Sequence, residues 1–345
     1  DRSLYLVLWK PREGEEMRQV EYWLQTIALH VPGARVLLVP TYADEGIISH
    51  LNLREMQNRF TEGSNQGHLY IGNIYPVGNI ENQGIEELKK AIAEEAQHLR
   101  GMGEPWTPNA IEAENEMMER NQHDITEDEY VNHCVNHKIR PKDARGYRGQ
   151  YWHDLGKILY FSEDTHLRNL VVLKPNWISK AMSRVMNDTR LLDDKGVLPH
   201  SRLPEIWDKQ DTHGYRYPPR HHPTFLKLMY KFELGYELQG GTKTLAPHLL
   251  PMNSPDEVLS APTDGTPCVQ MTYRFGFMPA GLMSRFIVRT HHYLYKGMHW
   301  REGVVLESKD HFAKVVTRED LSQDVVVLEV WGKYPSDFIT RLRYE

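Results

Sequence analysis

Asp44 closes the tetrapeptide Thr41-Tyr42-Ala43-Asp44, which directly follows the apolar run Val36–Val39. A carboxylate just past a buried strand can accept two hydrogen bonds, one from the N1–H and one from the exocyclic amine of guanine. Adenine lacks that donor pair, so its binding would leave a buried acceptor unpaired. In open α/β sheets ligands bind at the carboxyl ends of the strands. A second loop, Val77-Gly78-Asn79, follows the next strand candidate. There a backbone N–H of Gly78 or Asn79 can meet the guanine O6. Taken alone a T-x-x-D tetrapeptide is a weak signal, since most are helix caps or loops. Its placement after a buried strand, with a second loop after the next, makes Asp44 a candidate base reader.

The phosphate half of such a site needs G-x-x-x-x-G-K-[ST] between a strand and a helix, where backbone N–H groups cradle the phosphates. That string is absent from the chain. Gly235 to Gly240, followed by Gly241-Thr242-Lys243-Thr244, puts glycine where lysine is required. Asp193-Asp194-Lys195-Gly196 and Asp211-Thr212-His213-Gly214 match the loose D-x-x-G pattern of a magnesium loop. Neither has a buried strand ahead of it, and both are read as decoys. Phosphate and Mg²⁺ contacts carry most of the catalysis in such enzymes. The chain on its own is therefore expected to hold no nucleotide and to hydrolyse none, with no catalytic residue assigned.

Histidine is plentiful, and His221-His222, His291-His292 and Trp152-His153-Asp154 invite metal or catalytic readings. Zinc needs three or four converging ligands. Adjacent histidines diverge by about 100° on a helix and point to opposite faces of a strand. They are read as surface or interface residues, and no metal ligand is assigned. Cys134 and Cys268 are too few for a disulfide framework or a cysteine zinc site.

The elements that must position these residues alternate at first. Leu4–Trp9 reads as a strand buried on both faces. Met17, Val20, Trp23 or Leu24, Ile27 and Val31 mark a helix that Pro32-Gly33 stops. A polar stretch with weaker helical signals follows Val36–Val39, then a strand near Tyr70–Val77. Gly84 opens a helix with Ile85, Leu88, Ile92, Ala96 and Leu99 on one face. This is a βαβ series, hence a parallel sheet.

After Gly101-Met-Gly-Glu-Pro the alternation stops. Ile111–Met118, Glu127–His137 and Lys142–Leu155 read as helices, with Trp152 and Leu155 in the core and Gly156 as a left-handed cap. Ile158–Phe161 and Leu170–Leu173 form a hairpin, so the segment has a winged-helix pattern. Further helices start after Pro175 (Trp177, Ala181, Val185) and cover Pro204–Trp207 and Thr224–Leu234. The His-, Pro- and Tyr-rich stretch Lys209–Pro223 reads as a surface connection. Met271, Tyr273, Phe275 and Phe277 alternate with polar residues as a half-buried strand. Leu282, Phe286 and Ile287 mark a helix. Gly303–Leu306, Ala313–Thr317 and Val325–Val330 return to strand.

A net charge of −6 over 345 residues argues against a broad nucleic-acid footprint. The candidate recognition helix, Lys142 to Arg148, carries some positive charge, which neighbouring acids offset. No apolar run approaches the roughly 18 residues of a membrane span. The first residues lack the charged start and cleavage site of a signal peptide. A reducing, cytoplasmic setting is expected.

Leu4-Tyr-Leu-Val-Leu-Trp-Lys-Pro-Arg-Glu-Gly-Glu, Tyr22-Trp-Leu and Pro32-Gly-Ala-Arg-Val-Leu-Leu-Val-Pro-Thr-Tyr-Ala-Asp44 together resemble the second half of the Roc GTPase domain of Roco proteins. That group includes the leucine-rich-repeat kinases and many bacterial and archaeal relatives. Tyr151-Trp-His-Asp-Leu-Gly-Lys-Ile-Leu-Tyr-Phe161 and Leu170-Val-Val-Leu-Lys-Pro-Asn-Trp177 resemble the first half of COR, the module that follows Roc. Phe277-Met-Pro-Ala-Gly-Leu-Met-Ser-Arg-Phe-Ile-Val-Arg289 and Trp300-Arg-Glu-Gly-Val304 resemble its second half.

The resemblance implies a partial small-GTPase-like parallel sheet over 1–103. It implies a helical, winged-helix-like COR half over 104–248 and a mixed strand and helix half over 249–345. It further implies a parent that binds GTP or GDP with Mg²⁺, hydrolyses GTP and forms a homodimer through the last segment. Thr41 and Asp44 fall at its base-specificity motif, with Gly78 and Asn79 at its second base loop. The phosphate loop and both switch segments would precede Asp1. Two departures stand out: Tyr42 replaces the family's frequent His, and the second base loop lacks the usual Ser-Ala-Lys. Alternatives from other classes are a pseudo-GTPase scaffold that no longer binds nucleotide, and a winged-helix DNA-binding regulator.

Overall fold

The computed structural model describes residues 2–11, 16–45, 54–55, 58, 69–103, 106–210, 214–275, 278–320 and 323–345, with backbone only for 16–19. The weak helical signals of 46–68 (save three residues), Met17 as a core position, Phe277 and most of the Asp211–Gly214 string lie outside these residues. The chain forms two compact units: 1–116 with 133–156, and 117–132 with 157–345.

In the first unit, β1 (Leu4–Trp9), β2 (Ala34–Pro40) and β3 (Leu69–Ile74) form a parallel sheet in that order. α1 (Glu16–His30) links β1 to β2, and α2 (Ile85–Ala96) follows β3. β2 is central, and Val36, Leu37, Leu38 and Val39 are all at most 1% exposed, as a strand covered on both faces requires. β1 departs from expectation. It is an outer strand among the described residues, and Leu8 is 56% exposed. Val7 and Trp9 pack instead with Val20, Leu24, Val36 and Leu38. Leu24 faces the core while Trp23 is exposed, which settles the helix face. Arg35 of β2 meets Glu95 of α2 at 2.6 Å.

The same unit takes in most of α3 (Pro108–Glu119), the end of α4 (Glu127–Asn136) and α5 (Gly149–Asp154). The expected helix Lys142–Leu155 is broken, because Gly146 takes non-helical angles (φ −92°, ψ −112°). Trp152 is fully buried and its Nε1–H donates to Glu114 at 3.1 Å. Leu155, expected in the core, is 39% exposed: it caps α5 where Gly156 (φ +67°) turns the chain away. Arg148 lies over the Trp106 ring, so part of the positive charge of this segment is used internally.

The second unit starts from β4 (Asp124–Thr126), β5 (Leu159–Tyr160) and β6 (Leu170–Val172), an antiparallel sheet ordered β4-β6-β5. The expected hairpin is present, with a third strand that sequence did not predict. α6 (Pro175–Met186), α7 (Leu203–Trp207) and α8 (His222–Lys231) bury Trp177, Ala181, Val185, Trp207, Phe225 and Leu228 together. Part of the supposed surface connection packs into this core: Tyr217 is fully buried and His221 and His222 are under 10% exposed, whereas Lys209, Gln210, Arg216, Pro219 and Arg220 are exposed. The His222 Nε2–H donates to the Tyr217 carbonyl at 3.0 Å, with the Asp208 carboxylate 3.1 Å away. The histidine pair is therefore buried rather than at the surface. β7 (Val197–Pro199), β8 (Tyr236–Glu237) and β9 (Lys243–Leu245) make a further small sheet ordered β7-β9-β8.

The remainder is one antiparallel sheet, ordered β10-β14-β13-β12-β11, of β10 (Cys268–Phe275), β11 (Leu294–Trp300), β12 (Gly303–Ser308), β13 (His311–Asp320) and β14 (Gln323–Gly332). α9 (Leu282–Thr290) and α10 (Pro335–Leu342) supply Met283, Ile287, Phe338 and Ile339 to its core. Val269, Met271, Tyr273 and Phe275 of β10 pack against the same core, and the alternate residues face out. Glu233 accepts hydrogen bonds from Arg285 and Arg289 of α9, each at 2.6 Å. Those contacts hold its carboxyl below the usual carboxylate range against the opposing effect of burial.

His299 on β11 predicts a pH response. Its Nδ1 is buried without a partner, and burial lowers its pKa from 6.5 to about 4. The unfolded chain then binds a proton that the folded chain refuses. Stability is complete above the unfolded value and is lost as pH falls from 6.5 towards 4. The loss should reach about 3 kcal/mol. Urea midpoints at pH 7 and pH 4.5 would show it, and His299→Leu should flatten the difference.

Candidate functional site

The carboxyl ends of β2 and β3 lie side by side because the strands are parallel. Pairing continues past both: the Tyr75 N–H donates to the Leu38 carbonyl at 2.8 Å, Val77 N–H to Pro40 at 2.9 Å and Ala43 N–H to Val77 at 3.0 Å. This ladder draws loop 41–45 against loop 77–80. The Asp44 carboxylate (Oδ2) accepts the Ile80 N–H at 2.7 Å. The two loops singled out from sequence thus meet, and Asp44 is held by a backbone donor of the second.

Contact at Gly78 is close. A Cβ there would stand 2.5 Å from Asp44 Cγ, so only glycine leaves the carboxylate where it is. Gly84 (φ +69°) is constrained differently: a Cβ would meet the Pro76 carbonyl oxygen at 2.0 Å. Gly78→Ala should displace Asp44 at a fold cost of about 1 kcal/mol. Gly84→Ala must move backbone and should cost more. Thermal melts of the two variants would check the order.

The four predicted residues do not play equal parts. Thr41 turns inward, its N–H at 2.9 Å and its hydroxyl at 3.0 Å both donating to the Trp9 carbonyl. It ties the loop to β1 rather than facing a ligand. Gly78 is buried, and its N–H donates to the Gln83 carbonyl at 3.0 Å. It is therefore spent inside the protein. Asn79 is exposed and Asp44 half-buried.

Tyr42 was not assigned from sequence. It sits in the left-handed region (φ 64°), is 40% exposed, and carries the Lys10 ammonium 3.6 Å from its ring centre. A non-glycine residue held there marks a loop whose shape its surroundings enforce.

Two of the three decoys fall on described elements. Gly240 and Gly241 form the turn between β8 and β9, and Lys243-Thr244 begins β9. The Gly196 N–H closes a short helix on the Leu191 carbonyl at 2.7 Å, and Asp194 pairs with Arg202. His291 stacks on Tyr236 with ring centres 4.4 Å apart. A grouping missed from sequence is Glu116, His133 and His137, whose only signal was the four-residue spacing of the histidines. Among the described residues no helix is long and apolar enough to cross a membrane.

Comparison with known proteins adds the following. Residues 106–250 match the family described as the C-terminal of Roc, COR-A domain, and residues 266–345 the C-terminal of Roc, COR-B domain. A "Roc-COR-CHAT protease" of an unknown prokaryotic organism is 27% identical over 97% of this chain and 31% of its own length. The Dictyostelium discoideum protein named "Probable serine/threonine-protein kinase pats1" is 26% identical over 89% of this chain and 10% of its own length. Mouse (Mus musculus) "Leucine-rich repeat serine/threonine-protein kinase 1" is 22% identical over 84% of this chain and 16% of its own length. Thus the chain spans between 10% and 31% of these relatives. The Methanosarcina barkeri Roco2 RocCORdC structure bound to GDP superposes with a TM-score of 0.56 at 28% identity, covering 72% of this chain and 73% of that one.

Proposed function

This chain belongs to the Roco family as a Roc–COR segment, and from that premise we propose that it carries the guanine-reading part of a GTPase joined to the module that regulates it. The observation that carries the proposal is the Asp44 carboxylate, anchored by the Ile80 N–H where two parallel strands end. Asp44 takes the N1–H and the amine of guanine. The Gly78 and Ile80 N–H groups are committed inside the protein, so Asn79 supplies the donor to O6. Tyr42 offers a flat face beside the base. Thr41 belongs to the site by holding the loop.

In the parent protein this segment works with a phosphate-binding part that holds GTP or GDP with Mg²⁺ and carries out hydrolysis. Its relative bound to GDP supports that reading. So does the outer edge of β1, where Leu8 and Trp23, both over half exposed, border an apolar groove of about 590 Å³. An edge of this kind in a parallel sheet is normally covered. The chain alone remains non-catalytic. We divide it at 1–103, 104–248 and 249–345, give the middle part a winged-helix-like form, and place the whole in the cytoplasm without nucleic acid as a partner.

Residues 249–345 form the homodimer in this proposal. The apolar side of β10 is used within its own core, which leaves the outer edge of the strand for a second copy. Light scattering of the purified chain should give a mass that rises to the dimer with concentration. A monomer at every concentration would remove dimerisation from the proposal. Fluorescent GTP should bind the parent saturably and this chain not at all at micromolar concentration. A parent that fails to bind would favour the pseudo-GTPase scaffold.

A further inference from the structure

His133 and His137 stand four residues apart at the end of α4, so their side chains share one face. α3 runs opposite and presents Glu116. One ligand atom from each residue lies within 4.8 Å of the other two. The His137 ring nitrogen (Nε2) is already 3.0 Å from the Glu116 carboxylate. His133 is 6% exposed, and its Nε2 lies 2.8 Å from the Ala113 carbonyl oxygen, which fixes the ring and makes that nitrogen the donor.

We propose that Glu116, His133 and His137 form a binding site for a divalent transition-metal ion of the zinc type. Two imidazoles and one carboxylate suit Zn²⁺ or Co²⁺, whereas Mg²⁺ and Ca²⁺ call for oxygen ligands. The geometry is close to what coordination needs. Metal–ligand distances of about 2.0–2.1 Å put ligand atoms roughly 3.3 Å apart around a tetrahedral ion. The Glu116–His137 pair meets that spacing, and the third ligand atom has at most about 1.5 Å to close. Rotation of Glu116, whose side chain is 62% exposed, closes its own distance to His133, and turning of the His137 ring must close the distance between the two imidazoles. The hydrogen bond from His133 to a backbone carbonyl is the outer support that orients a ligating imidazole and raises its basicity. With three protein ligands, the fourth position opens to solvent. A bound ion would join α3 to α4 and add to the stability of the unit that contains the parallel sheet, since binding free energy at such a site is also folding free energy.

The test uses the whole chain, free of any affinity tag and stripped of metal, titrated with Co²⁺ and then Zn²⁺. Saturable visible Co²⁺ absorption at one equivalent is expected, with displacement by Zn²⁺ and a higher melting temperature when Zn²⁺ is bound. Glu116→Gln changes an exposed group and should abolish the absorption while leaving the circular dichroism unchanged; His137→Ala, at a side chain 13% exposed, should abolish it too, with the same spectrum showing whether the fold is kept. The 18 histidines of the chain offer adventitious binding. Equal absorption in the wild type and both variants, or none in the wild type, overturns the proposal and leaves Glu116–His137 as a plain ion pair.

Discussion

Trp207→Ala is expected to cost the C-terminal unit about 3–5 kcal/mol of stability. The indole is fully buried at the end of α7. It meets the Phe225 ring edge-on at 5.1 Å and His222 at 5.2 Å. Its Nε1–H donates to the Ala181 carbonyl of α6 at 2.9 Å, so one side chain binds three elements. Truncation removes the burial of a large ring, opens a cavity among α6, α7 and α8, and deletes that hydrogen bond. The neighbours cannot close the gap, because Trp177, Tyr217 and Phe225 already pack on one another at 5.0–5.6 Å. Trp207→Phe keeps most of the ring and should recover a large part of the loss. Urea unfolding followed by near-ultraviolet circular dichroism would separate the two variants. A cost for Trp207→Ala below about 1 kcal/mol, far under the range for a buried tryptophan, would mean the cluster is not the core described.

The parallel sheet was legible because two of its three strands are announced by uninterrupted apolar runs, while the third, Leu69–Ile74, carries Gly72 and Asn73 within it. Val36–Val39 fits that rule fully. Leu4–Trp9 has the same composition yet lies at an edge, and edge position depends on what covers the strand, which composition does not encode. β5, β7, β8 and β9 span two or three residues each, too short for a periodicity of two to show. The histidine pair was misread for another reason. Burial of the pair goes with the Tyr217 carbonyl as acceptor for His222 and with the carboxylates of Asp124 and Asp208 nearby at 3.7 Å and 3.1 Å, a setting that no local pattern predicts. Leu155 kept its apolar character but lost its place when Gly146 broke the helix and changed the face presented afterwards. At the candidate site the meeting of Asp44 with the Gly78–Ile80 loop followed from topology, since neighbouring parallel strands end together. The division of labour within it did not. The inward hydroxyl of Thr41 and the Gly78 N–H given to Gln83 depend on turns whose hydrogen bonds sequence leaves open.

Asp44→Asn, made in a parent polypeptide that also supplies the phosphate-binding part, should lower the preference for guanine over adenine nucleotides. The carboxylate would accept two charge-assisted hydrogen bonds from the base, each contributing about 1.5–3 kcal/mol. Their loss together corresponds to roughly two to four powers of ten in affinity. The effect should be local. The side-chain oxygen that the substitution retains can still accept the Ile80 N–H now 2.7 Å from Asp44, so loops 41–45 and 77–80 stay joined. The new amide instead turns a donor towards the guanine N1–H and amine, which are donors themselves. Xanthine carries an oxygen where guanine carries the amine, and that oxygen can accept a hydrogen bond from the amide. Xanthosine triphosphate should therefore bind the variant better than it binds the wild type. A fold defect would weaken every nucleotide alike and give no such rescue. Competition of GTP, ATP and XTP against a fluorescent nucleotide reads all three at once, and an unchanged GTP-over-ATP ratio would remove Asp44 as the base reader.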